Sequence, residues 1–141
     1  MAATYNKFED FVEQLGKGIH QLHTAGHQLE CYLSNDTPDA ALDAVKTDLA
    51  EITIQNGYTG PEDADNDYTE TGGVGTLTAE DIVITANADS IGPFRYVVLF
   101  NQDTAAPLDA LIAWWDYGSS ISLNDTETFT IDFGASIATI E

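Results

Sequence analysis

Positive charge is what this sequence has least of. Only Lys7, Lys17, Lys46 and Arg95 stand against 24 acidic residues, for a formal net charge of −20. Phosphate recognition needs clustered Lys and Arg, so no nucleic-acid partner is expected. Cys31 is the one cysteine, which excludes an internal disulfide. The longest apolar runs, at residues 97–100 and 111–115, are far too short to span a bilayer, so no membrane partner is expected. The opening residues lack the apolar stretch of a signal peptide, and synthesis in the cytoplasm is the expectation. Also missing are the G-x-x-x-x-G-K-[ST] phosphate loop and the G-x-S-x-G nucleophile elbow. Acids this numerous single out no acid–base pair. No catalytic residue is assigned, and the chain is read as a non-enzyme.

The charge imbalance has a physical meaning of its own. So many like charges repel and oppose compaction in dilute buffer. The Debye length falls from about 10 Å at about 0.1 M salt to about 3 Å at about 1 M, so molar salt removes most of that penalty. Because the acids are spread along the whole chain, the pattern reads as adaptation to concentrated salt, beyond what solubility requires. Hydrophobic residues make up 43% of the chain, enough to build a core and to exclude disorder.

Local patterns predict a mainly β (α+β) protein, an antiparallel β-sandwich or sheet with an N-terminal amphipathic helix packed on it. Phe8, Phe11, Val12, Leu15, Ile19 and Leu22 recur at helical spacing, with Asn6 as N-cap and Gly26 as the stop. Gly16 and Gly18 weaken that helix by about 1 kcal/mol each. A short strand follows at residues 29–33. Thr37 and Pro38 then open a second predicted helix carrying Ala41, Leu42, Val45 and Leu49. The chain is taken as a single domain, 1–141, in three parts: a helix-containing part at 1–55, a turn-rich acidic loop at 56–75, and a β core at 76–141. In that core Phe94, Tyr96, Val98 and Phe100 alternate with Arg95, Val97 and Leu99, so the strand is covered on both faces. Ile91-Gly92-Pro93 reads as the turn that launches it. Residues 121–123 and 129–133 form a predicted hairpin through Asn124-Asp125, and residues 137–140 a last edge strand.

Few residues offer chemistry. His20, His23, His27 and Cys31 have zinc-like spacing, but Gly26 interrupts their helix and Cys31 sits in an apolar strand, so packed or solvated side chains are expected. Asp63, Asp65 and Asp67 form a D-x-D-x-D run of the kind that converges on calcium, making them weak metal candidates. Tyr68 stands where a calcium loop needs Gly, and Val74 where it needs a bidentate Glu. No cofactor is expected beyond weak or non-specific Ca2+, Mg2+ or Na+ binding. Trp114 and Trp115 are adjacent in a strand and must face opposite sides, so one is expected outward or against a second layer. Arg95, the lone cation of the C-terminal half, is expected in a carboxylate pair, within the chain or across a subunit boundary. Tyr5, Phe8, Arg95, Trp114, Trp115 and Tyr117 are the interface candidates.

Three stretches are distinctive together: YNKFEDFVEQL at 5–15, IGPFRYVVLFN at 91–101, and WWDYGSSISL at 114–123. In these the chain resembles a group of small virion structural proteins of tailed phages and archaeal viruses, encoded near the major capsid protein. The resemblance covers both ends and most of the C-terminal half, and is weak at residues 36–75. It implies a capsid decoration (cement) protein, located in the virion, that binds the major capsid protein and itself, as a trimer or other oligomer. The acidity extends this to a virus of a halophilic host. The alternative within the same particle is a tail, fibre-base or vertex turret component. A hydrolase or glycan-binding module is the reading from another class. The contacts are expected from the N-terminal residues and from residues 56–75.

Overall fold

The computed structural model describes residues 3–141. Antiparallel sheet dominates. β1 (Asn6–Lys7) leads into an α-helix, α1 (Glu9–Gly16), and then β2 (Leu29–Ser34). After a 3-10 turn at Lys46–Asp48 come β3 (Glu62–Asp63), β4 (Asp67–Thr71), β5 (Val74–Thr78) and β6 (Ile82–Thr85). Two long strands, β7 (Ile91–Ala105) and β8 (Leu108–Leu123), are followed by β9 (Thr128–Ile131) and β10 (Ala138–Ile140). The main sheet has the order β1-β8-β7-β2-β3, with small sheets β10-β5-β4 and β6-β9.

β7 shows how sequence pattern becomes layers. Val97 and Leu99 point into the larger core, shared with Cys31 and Leu33 of β2, Leu77 of β5, Ile82 and Ile84 of β6, and Ile131 of β9. The small sheets therefore stack on this face of the main sheet. Tyr96, Val98 and Phe100 point the other way, into a second core with Phe8, Tyr32, Leu49 and Leu111. Both faces of β7 are thus covered, as the two-sided apolar alternation requires. Each large side chain buried in this way is worth roughly 1.5–3 kcal/mol relative to exposure.

The second core is roofed by the segment expected to be a helix, and that expectation is corrected. Residues 35–50 hold turns and the single 3-10 turn. Asp39 Oδ1 accepts the N–H groups of Ala41 and Leu42, and Asp48 Oδ2 those of Ala44 and Val45. These carboxylates offer local partners that compete with the helical ladder. Leu42 is left 78% exposed. Past the roof, Tyr58 of the larger core ties β2 to Glu51: its hydroxyl accepts from the Leu33 N–H and donates to Glu51 Oε2 at 2.6 Å. Glu51 also pairs with Lys46 at 2.9 Å, and Lys46 Nζ lies 4.7 Å from the Tyr32 ring centre.

Other expectations are also revised. α1 stops at Gly16 instead of reaching Leu22, and its N-cap is Phe8, because Asn6 is drawn into β1 against Trp114. Residues 56–75 are not a loop: β3 and β4 lie in them and β5 begins in them. β4 and β5 form a hairpin through Gly72-Gly73, both at positive φ (63° and 85°), the conformation of a tight two-residue turn. Ile91-Gly92-Pro93 lies inside β7 as an irregularity of register, not ahead of it. The hairpin of 121–123 with 129–133 does not form; Leu123 pairs with Ile91, and β9 pairs with β6. β10 is an edge strand on β5, as expected.

Candidate functional site

Trp114 and Trp115 occupy consecutive positions of β8 and face opposite cores. Trp114 packs on Phe8, ring centres 4.6 Å apart, against the second core. Trp115 packs on the larger core's side, where its ring meets Tyr5 at 6.0 Å and Phe133 at 5.7 Å, both edge-to-face. Both tryptophans are half-buried, so neither is simply core or surface. Phe8 is fully buried, which corrects its reading as an interface residue.

Next to Trp115 the sheet breaks its regular pairing. Tyr96 pairs with Asp116, but Phe94, two residues earlier, pairs with Ile121. Residues 117–120 stand opposite the single Arg95, and they bulge from the ladder. The bulge lifts Tyr117 to 51% exposure, with its ring 5.9 Å from Phe129 of β9. Tyr5, Trp115, Tyr117, Phe129 and Phe133 thereby line one open groove of about 520 Å3, with Asp132 among the lining residues. Burial raises the Tyr5 hydroxyl above its ordinary pKa, so it stays a neutral phenol. Phe129, Asp132 and Phe133 were not singled out from sequence. The alternation of Phe129, Ile131 and Phe133 was the only signal, and it indicates a strand without indicating what the strand lines.

Arg95 makes the bidentate fork expected of it, within the chain: Nε to Asp116 Oδ1 at 2.8 Å and Nη2 to Oδ2 at 3.0 Å. The fork holds the Asp116 carboxyl below its usual range and the guanidinium above its own. The pair is exposed on both sides, where such interactions contribute little.

The histidines are organised by a residue the sequence did not point to. Asn101, fully buried in β7, accepts the Asp103 N–H through Oδ1 at 3.0 Å, which fixes its amide orientation. Its Nδ2 then faces Nδ1 of both His20 and His27 at 3.0 Å, so both imidazoles accept there. Burial, with His27 nearby, lowers the His20 pKa to about 4. Cys31 lies in the larger core, and burial pushes its thiol well above the ordinary range. His23 is exposed. The zinc-like spacing therefore does not become a cluster.

The D-x-D-x-D run is also separated. The Thr24 side chain, with the Tyr68 and Thr24 N–H groups that Asp67 Oδ1 accepts, holds the Asp67 carboxyl below the usual range. Asp63 caps the Asp65 N–H at 2.8 Å. Asp63 and Asp65, without Asp67, line a shallow depression with His27 and Asp103. Among the described residues no group of three or more His, Cys, Asp or Glu could hold a metal ion. Among them, too, no helix is long and apolar enough to cross a membrane.

No family model, curated protein or solved structure matches the chain.

Proposed function

We propose that the protein is a capsid decoration protein, binding the major capsid lattice of a tailed virus whose host lives in concentrated salt. The carrying observation is the open aromatic groove beside the Tyr117 bulge, in a molecule whose net charge is −20. Aromatic surface left partly open suits protein contact, since Tyr, Trp and Phe are the residues enriched where interfaces are built. The motifs at residues 91–101 and 114–123 that carry the resemblance to virion proteins lie in the two longest strands, β7 and β8, and include the bulge. The mechanism is binding: apolar area buried against neighbours, while salt screens the repulsion between acidic surfaces.

Quantitative mass spectrometry of purified virions tests this. Abundance comparable to that of the major capsid protein is expected. A much lower copy number would move the protein to the tail, fibre base or a vertex turret, and absence from the particle would overturn the reading.

A further inference from the structure

We propose that the aromatic groove receives an arginine side chain presented by an extended segment of a partner protein. Five rings line it: Tyr5, Trp115, Tyr117, Phe129 and Phe133. Aromatic faces carry negative quadrupole potential and attract cations, and guanidinium groups most often fill that role in proteins. One carboxylate, Asp132, shares the groove, and its Oδ1 is fixed by the Gly134 N–H at 2.8 Å. Among the described residues no cationic side chain lines the groove. Arg95 is forked to Asp116, Lys46 is paired with Glu51 and Lys17 with Glu13, while Lys7 lies outside on β1. A basic side chain of another molecule would supply the complementary charge beside Asp132.

Arginine fits better than lysine. Its plane stacks on rings, it is weakly hydrated, and its fork matches a carboxylate. Stacking and the short contact to Asp132 persist in molar salt, which screens only the longer-range attraction. A groove of about 520 Å3, open to solvent, has room for flanking residues of an extended segment as well as one side chain. The identity of that partner as a capsid subunit rests on the function proposed above; the chemistry of the groove does not.

The test uses the full-length protein, 15N-labelled, titrated with a capped Gly-Arg-Gly peptide and with its neutral citrulline counterpart. Trp115 lines the groove and Trp114 faces the other core, so the two indole N–H signals report site and control. A saturable shift of the Trp115 signal is expected with the arginine peptide, at least tenfold weaker with citrulline. Tyr117→Ser, at an exposed position, should abolish the shift without threatening the core, and Asp132→Asn should weaken it. Equal binding of both peptides, no saturable shift, or equal movement of both indoles would each overturn the proposal. So would self-association that Tyr117→Ser abolishes with no peptide response, which would make a second copy the occupant. Arginine binding by a protein absent from virions would sink the decoration reading and leave the groove's role standing; presence in virions without arginine binding would do the reverse.

Discussion

At the residue scale, burial decides what the few reactive side chains can do. Cys31 is 1% exposed and its thiol is held protonated by desolvation. A water-soluble thiol reagent should label it only as fast as the protein opens, with labelling tracking denaturant concentration. Rapid labelling of the native protein would contradict the packing of β2. His20 has the opposite sign of sensitivity. Its pKa of about 4 in the fold lies below the unfolded value of 6.5. The unfolded chain therefore takes up a proton that the fold refuses as pH falls through this window. Stability should decline between those two values by about 3 kcal/mol. His20→Gln should be less stable at neutral pH yet show a flatter dependence there, measured by denaturant midpoints at stepped pH.

At the element scale, the places where local pattern failed share one cause. Thr37-Pro38-Asp39 has the chemistry of a helix start, but Asp39 and Asp48 give their carboxylates to nearby N–H groups, and Leu42 finds no core. Leu42→Ser should change stability by less than about 0.5 kcal/mol, whereas Asp48→Ala, which removes two local hydrogen bonds, should cost about 1 kcal/mol. A helical segment would give the reverse ranking, so chemical unfolding of the two variants discriminates. Gly57 makes a similar point about turns. It has φ of 98°, and a Cβ there would lie 2.2 Å from the Thr85 carbonyl oxygen. Gly57→Ala should destabilise the protein by about 2 kcal/mol, lowering the thermal midpoint.

At the scale of the whole molecule, charge dominates. Of the four cations, Lys17, Lys46 and Arg95 already have carboxylate partners, so most of the acids face only one another and solvent. Thermal and denaturant midpoints should rise steadily from low to molar salt as repulsion is screened. A midpoint indifferent to salt, or one that falls, would remove the case for adaptation to brine.

The sequence by itself determined the composition of the layers: which residues alternate in β7, that adjacent tryptophans must part to opposite faces, and that Arg95 needs a carboxylate. These follow from backbone periodicity and charge, which are local. Only the tertiary structure decided which strand pairs with which, that residues 117–120 bulge, and that Asn101 gathers two histidines from a distant segment. Pairing and bulging depend on how much apolar surface each arrangement buries across the whole chain, and no window of sequence contains that sum.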